Sequence, residues 1–84
     1  MTAADKIKRT ALEKLNFIVK NSIVYLIDNH LSLSDFYLTE TQLDCLTEKE
    51  KHEMKGCIEQ LTSNRVELYC KYQGIEIPEE LLKR

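Results

Sequence analysis

The sequence predicts an all-α protein: an antiparallel helical hairpin of two long helices, near residues 3–29 and 48–73, joined by a connector that holds a short helix. Apolar residues recur at helical spacing in both long segments, threonines suited to cap helices precede them, and only two glycines and one proline interrupt the chain. The 84 residues make a single helical domain, residues 1–84. A chain this short buries only about 60% of its unfolded surface, so assembly into a larger bundle is one route to stability.

The first long helix is expected to begin at Thr2, because Asp5 follows three residues later, close to the pattern of a capping box. Its apolar residues form two adjacent stripes: Ile7, Ala11, Leu15, Ile18 and Tyr25 in one, and Leu12, Val19, Ile23 and Leu26 in the other. Together they cover more than the usual apolar arc of about 100°. Such a helix is contacted from more than one side, either at the centre of a three-helix bundle or with one face reserved for another chain.

Residues Ile23–Ile27 allow two interpretations. The segment is continuous, apolar and rich in β-branched residues, as buried strands are. We expect helix, because the pattern leading into the segment is helical and no second strand is available to pair with it. The helix is expected to end near Asn29 and His30, where turn-forming side chains begin.

Two further capping boxes predict the remaining helices. Thr39 and Gln42 predict a short helix near residues 40–46, and Thr47 and Glu50 predict the start of the second long helix.

The second long helix is expected to end at Gly74, since glycine adopts the left-handed conformation of a C-cap most easily. Pro78 then begins a terminal turn. The apolar residues expected to fold back onto the bundle are Ile75, Ile77, Leu81 and Leu82.

The second long helix also carries a charged residue within its apolar seam. Residues at heptad spacing along it are Met54, Ile58, Leu61, Arg65, Leu68 and Tyr72. Three interpretations of Arg65 stay open. It lies at the edge of the seam with its guanidinium in water; it pairs with a carboxylate, for example across a subunit interface, and fixes the register; or it faces an external ligand.

Charge is distributed unevenly, although the net charge is only −2. Residues 1–20 carry a net charge of +3, and residues 28–60 carry −5. The first interpretation is that two helices attract each other across their solvated faces; the second is that the basic segment binds a partner. Glu48, Glu50 and Glu53 are expected to be solvated at a helix start, where they favour the dipole.

The search for catalytic and metal-binding motifs gives no candidate. Cys45 and His52 could pair as nucleophile and base, but no third residue that would orient them is recognisable. The potential metal ligands, His30, Cys45, His52 and Cys57, lack the close spacing of metal sites. We therefore expect no enzyme, no bound metal and no cofactor.

The cysteines and the N-terminal segment indicate a cytoplasmic protein. Cys45, Cys57 and Cys70 include no CxxC pair, and the polar N-terminal segment lacks the apolar core of a signal peptide. The longest unbroken apolar run, Ile23–Ile27, is too short to span a membrane. We expect reduced thiols and no membrane insertion.

These features predict a non-enzymatic protein-binding module, a small chaperone, adaptor or inhibitor that uses an apolar helix face. Large aromatic residues commonly dominate such contacts. The candidate protein-binding residues are Phe17, Tyr25, Leu61, Arg65, Leu68, Tyr69 and Tyr72. The expected partner is another protein or a second copy of this chain, bound along the face that includes Arg65.

Residues 57–73, CIEQLTSNRVELYCKYQ, resemble the C-terminal helix of the small E-type co-chaperones of bacterial type III secretion. The shared features are Ile58-Glu59-Gln60, Leu68-Tyr69 and Lys71-Tyr72. Members of that family are helical hairpins of comparable length that hold the needle subunit together with a second chaperone. The resemblance covers about a fifth of the chain and implies a chaperone or adaptor.

Two segments, RTALEKLNFIVKN and EQLTSNRVELY, resemble the Rop family, small dimeric helical hairpins that bind paired RNA loops. The resemblance places Phe17 where that family has an RNA-contacting phenylalanine. It implies an alternative function, a dimeric RNA-binding regulator that would use Lys6, Lys8, Arg9, Lys14, Phe17 and Lys20. Glu13 and Asp28 depart from the polar or basic RNA face of that family, so nucleic acid ranks second to protein as the partner.

Overall fold

A computed structural model describes residues 2–83, and the regular structure of this part of the chain is all helical, with no strand. The all-α prediction is confirmed. The helices are α1 (Ala3–Asp28), α2 (Glu40–Leu43), α3 (Glu48–Glu53), α4 (Lys55–Thr62), α5 (Val66–Gln73) and α6 (Glu79–Leu82), with a one-turn 3₁₀ helix at Leu33–Asp35. The longest dimension of the molecule is 41 Å, about the length of α1 at 1.5 Å per residue, so α1 runs its full length.

Local hydrogen bonds set both ends of α1. The backbone N–H of Asp5 donates to Thr2 Oγ1 at 3.2 Å, and the N–H of Thr2 donates back to Asp5 Oδ2 at 3.3 Å, which completes the predicted capping box. At the other end His30 adopts φ 56°, and the N–H of Leu31 donates to the Leu26 carbonyl at 2.8 Å. This is the left-handed closure of a Schellman motif. Residues 23–27 lie inside α1, so the expectation that this segment is helix and not strand is confirmed.

The predicted single helix over residues 48–73 is wrong, because three helices occupy that range. The first interruption is at Met54, between α3 and α4. The second is at residues 63–65, where Asn64 adopts φ 61° and the N–H of Arg65 donates to the Gln60 carbonyl at 2.8 Å. Asparagine tolerates the left-handed conformation that closes a helix, so α4 ends there without a glycine.

The core packs one side of α1 against buried residues of α4, α5 and α6, together with Phe36, Leu46 and Met54, which lie between helices. α1 contacts α3, α6 and the 3₁₀ helix, and α4 contacts α5. The most deeply buried side chains are Ala11, Leu15, Val19, Leu61, Val66, Tyr69, Cys70 and Leu81. The break at residues 63–65 therefore turns a different side of α5 inward from the one that a continuous helix would have buried.

Charge attraction joins α1 to α3, in agreement with the first interpretation of the uneven charge. Lys14 Nζ donates to Glu50 Oε1 at 2.8 Å, and Lys8 lies 3.9 Å from Glu53. Glu50 also accepts the N–H of Thr47 at 2.8 Å, which completes the predicted capping box of α3. The expectation that Glu50 is solvated is wrong, because these donors allow its carboxylate to be buried.

Candidate protein-binding surface

A groove lies between α5 and the C-terminal segment, residues 75–82. It is shallow and open to solvent, with a volume of about 630 Å³, and we call it the α5 groove. Its apolar lining includes Leu68, Ile75, Ile77 and Leu82, and its charged lining is Arg65, Glu67 and Lys71. Leu68 and Leu82 are 40% and 51% exposed, so apolar surface is open to a partner.

The turn at Gly74 forms the α5 groove. Gly74 adopts φ 68°, and the N–H of Ile75 donates to the Cys70 carbonyl at 2.9 Å, so α5 closes as predicted. An irregular stretch that contains Ile75 and Ile77 then connects α5 to α6. Both isoleucines are half-buried against the core and also line the groove.

Arg65 lies at the lip of the α5 groove, where it is exposed. It immediately precedes α5, and its backbone carbonyl accepts the first hydrogen bond of that helix, from the N–H of Tyr69 at 3.1 Å. In the part of the chain that the structure describes, neither Arg65 nor Lys71 forms an ion pair. Arg65 is exposed and no carboxylate within residues 2–83 pairs with it, so its guanidinium is accessible to a partner.

Two of the predicted binding residues are inaccessible. Leu61 and Tyr69 are 0% and 1% exposed, so neither can anchor a partner, and the predicted binding face that joined Leu61 to Arg65 and Tyr72 is wrong. The physical reason is the break at residues 63–65, which ends the heptad register after Leu61. The hydroxyl of Tyr69 instead donates to Asn16 Oδ1 at 2.7 Å, and burial raises the pKa of that hydroxyl well above its usual value.

The other predicted binding residues are exposed but do not form one surface. Leu68 and Arg65 line the α5 groove. Tyr72 is 74% exposed and is not among the residues that line it. Phe17 lies on α1, and Tyr25 borders a second cavity of about 280 Å³ between α1 and the connector.

Sequence reasoning missed several exposed apolar residues. They are Val24, Tyr37 and Leu82. Tyr37 follows the buried Phe36 in an irregular segment, where no periodicity assigns a side to either residue. Val24 could have been found, because it lies seven residues after Phe17 and hence on the same face of a helix.

The basic residues proposed for RNA binding also divide into two groups. Lys14 is held by Glu50 and by the Cys45 carbonyl, at 2.8 and 3.3 Å, and Lys8 lies beside Glu53. The remaining cations, Lys6, Arg9 and Lys20, are exposed and form no ion pair within residues 2–83.

Two thiols, those of the buried Cys70 and the partly buried Cys57, have raised pKa values. Burial raises the pKa of the Cys70 thiol to about 11 and also raises the pKa of Cys57, so both are protonated at neutral pH.

Among the described residues, no three His, Cys, Asp or Glu side chains are grouped so that they could hold a metal ion. Over the same residues, no helix combines the length and the apolar character needed to cross a membrane.

Comparisons with known proteins return no relative: no protein family, curated protein or solved structure matches this chain.

Proposed function

We propose that the protein is a non-enzymatic, cytoplasmic protein-binding module, a small chaperone, adaptor or inhibitor, and that its α5 groove binds an amphipathic helix of another protein. The observation that carries the proposal is the combination of an open apolar lining with two cations, Arg65 and Lys71, that have no ion pair within residues 2–83. Amphipathic helices bind such grooves through apolar residues at positions i, i+3, i+4 and i+7.

The charges at the groove specify the partner further. Arg65 and Lys71 outnumber Glu67, so a helix with Asp or Glu beside its apolar residues gains ion pairs on docking. The partner helix would pack along α5 and complete a larger helical bundle. That assembly would also bury apolar surface, which a chain this short leaves exposed because its core is small.

A small-molecule site fits the structure less well. Small ligands are usually oriented by a few polar groups that converge in an enclosed pocket. Within residues 2–83 every buried side-chain nitrogen and oxygen already has a hydrogen-bond partner, so none is held in reserve for a ligand. The α5 groove offers contact area and surface charge, which suit a peptide.

A peptide-display selection tests the proposal. The purified protein is used to select from a library of random 16-residue peptides, and we expect enriched sequences with apolar residues at helical spacing and with Asp or Glu between them. Leu68→Asp places a charge in the groove and should abolish binding of those peptides. Tyr72→Asp makes the same change on the same helix outside the groove and should leave binding within about twofold.

Two results would overturn the proposal: no enriched peptide, or equal loss of binding in both variants. Circular dichroism of each variant checks that the helices are retained. Arg65→Glu adds a charge test, because it should select against acidic peptides in particular and leave neutral apolar peptides less affected.

RNA binding is the second candidate, favoured by one observation. Lys6, Arg9 and Lys20 lie with the exposed Phe17 along one side of α1. A gel shift with structured RNA at low and high salt tests this, since phosphate contacts weaken steeply as salt rises. A shift at low salt that disappears at high salt and in Lys20→Glu would favour RNA, whereas no shift at low salt would remove this candidate.

A further inference from the structure

One side of α1 is exposed over its whole length, and we call it the outward face. Its residues are three or four positions apart, as on a single helix face: Lys6, Arg9, Glu13, Phe17, Lys20, Val24 and Asp28. Phe17 and Val24 are 66% and 53% exposed, so the face presents apolar side chains near its middle with charges around them. The α5 groove shares no residue with the outward face, so the two surfaces can bind independently.

The charges on the outward face are unpaired within the described chain. None of its five charged residues forms an ion pair within residues 2–83. By contrast, Lys8 and Lys14, which lie on α1 outside this face, are both paired with acids of α3. Within residues 2–83, the charges of α1 are therefore paired where α3 supplies acids and unpaired along the outward face.

Four of the five charges on the outward face lie near an opposite charge when two copies pack antiparallel, and the fifth, Arg9, lies opposite Tyr25. If two copies of α1 pack antiparallel with Phe17 against Phe17, position n of one copy lies opposite about position 34 − n of the other. Glu13 then lies near Lys20 of the second copy, and Lys6 lies opposite Asp28. If the two copies packed parallel and in register, each charged residue would lie opposite the same residue of the second copy, and the like charges would repel each other.

We propose that the outward face is a homodimer interface, in which two copies of α1 pack antiparallel about a two-fold axis at Phe17. Every contact then occurs twice, so a dimer contains two Glu13–Lys20 pairs and two Lys6–Asp28 pairs. Phe17 and Val24 supply the apolar part, and Val24 lies opposite the small polar Thr10 of the second copy. Glu13 and Asp28 would repel phosphate, so the same face suits a second copy better than RNA.

The size of the face indicates a reversible dimer. Lys6 and Asp28 are about 33 Å apart along α1, from the rise of 1.5 Å per residue. A single pair of helices of this length buries on the order of 1,000 Å² in total, at the lower limit for a specific interface. The monomer fold does not depend on this contact, so variants of the exposed face should still fold.

Sedimentation equilibrium on a charge-swap series tests the proposal. Wild type should show a monomer–dimer equilibrium that weakens as salt rises. Lys20→Glu should raise the dissociation constant by about tenfold, because two attractions per dimer become repulsions, and Glu13→Lys should do the same. The double variant, Glu13→Lys with Lys20→Glu, restores opposite charges across the axis and should return the dissociation constant to within about threefold of wild type.

Two further variants complete the test. Phe17→Ala should raise the dissociation constant by roughly tenfold or more, because the two-fold axis places the Phe17 rings of both copies at the centre of the contact. Lys55→Glu makes the same charge reversal on α4, at an exposed residue away from the face, and should leave the dissociation constant unchanged.

A wild type that is monomeric at high concentration overturns the proposal, as does a double variant that associates no better than the single ones. A dimer that is equally sensitive to Lys55→Glu also overturns it, because net charge would then explain the result. The peptide selection measures binding at the α5 groove, whereas sedimentation equilibrium measures self-association through the outward face. Either proposal can therefore fail without the other.

Discussion

At the scale of single residues, Tyr69 and Tyr72 show how much one helical turn changes the environment of the same side chain. Tyr69 is 1% exposed and donates its hydroxyl proton to Asn16, whereas Tyr72 is 74% exposed. A heptad pattern extended from Met54 gives the opposite expectation, with Tyr72 in the seam. The observed assignment makes Tyr69 part of the core that joins α5 to α1.

The two tyrosines form a matched pair for measuring stability. Tyr69→Ala should lower the free energy of unfolding by about 3 kcal/mol or more, because it leaves a cavity and strands the Asn16 amide. Tyr72→Ala should change it by no more than about 0.5 kcal/mol. Urea unfolding followed by circular dichroism measures both, and equal effects would contradict the assigned orientation of α5.

Glu50 is the residue at which the sequence interpretation failed most plainly. Acids near a helix start are usually solvated, and the capping box that distinguishes Glu50 from Glu48 does not by itself predict a buried carboxylate. The difference comes from a residue 36 positions earlier, because the ammonium of Lys14 reaches the carboxylate of Glu50 at 2.8 Å. A contact so distant in sequence gives no periodic signal.

This ion pair predicts a pH dependence of stability. The hydrogen bond from Lys14, followed by that from the Thr47 backbone, lowers the pKa of Glu50 below its usual 4.5. The pair therefore stabilises the fold above the unfolded pKa, and that contribution is lost as pH falls through the lowered folded pKa.

The free energy of unfolding of wild type should thus fall between about pH 6 and about pH 3, and Glu50→Gln should show a smaller fall. Glu48→Gln is the control, because the Glu48 side chain is 94% exposed. The free energy of unfolding of this variant should fall as much as that of wild type. Urea unfolding across this pH range gives the comparison. An equal fall in Glu50→Gln and wild type would show that the pair contributes no pH-dependent stability.

At the scale of helices, what the sequence predicted well was local. The three capping boxes, at Thr2, Thr39 and Thr47, form as expected because each involves side chains only three residues apart. The helix end at Gly74 was also predictable from the special conformational freedom of glycine. The break at Asn64 was not, because its surroundings contain no glycine or proline and the apolar spacing continues across it.

The candidate site was only partly predictable for the same reason. Arg65 and Leu68 were identified, but they were grouped with the buried Leu61 on a single continuous helix face. The opposite wall of the groove, which includes Ile77, comes from the irregular segment before α6, where a short apolar run does not predict which side is exposed. Tertiary contacts decide both features.

The left-handed helix ends give a prediction with opposite signs at two histidines. His30 is exposed and holds φ 56°, so His30→Gly should raise the free energy of unfolding by about 0.5–1 kcal/mol. His52 is exposed within α3, so His52→Gly should lower it by about 1 kcal/mol. Thermal unfolding of both variants tests the two helix assignments, and a loss of stability in both would contradict the conformation assigned to His30.

At the scale of the whole molecule, the C-terminal segment closes the fold. α6 contacts α1, and Leu81 is 1% exposed, while its neighbour Leu82 is 51% exposed and lines the α5 groove. A four-residue helix has little stability of its own, so its position depends on Leu81. The same short segment therefore anchors the chain end with one leucine and presents the next to a partner.

Adjacent leucines separate stability from binding. Leu81→Ala should lower the free energy of unfolding by about 3 kcal/mol, through the cavity it leaves, and Leu82→Ala by no more than about 0.5 kcal/mol. Leu82→Ala should nevertheless weaken the peptides selected against the α5 groove. Unfolding by urea and peptide titration on both variants check this, and a stable Leu81→Ala would mean that α6 is not anchored through Leu81.

NMR chemical-shift mapping is the sharpest test of the proposal that the α5 groove binds a partner protein. A selected acidic amphipathic peptide is titrated into isotopically labelled protein, and the backbone amide shifts are followed residue by residue. We predict that the largest changes fall within residues 64–71 and 75–82 and are absent in Leu68→Asp. Changes confined to the outward face of α1, with the groove unperturbed, would contradict the claim.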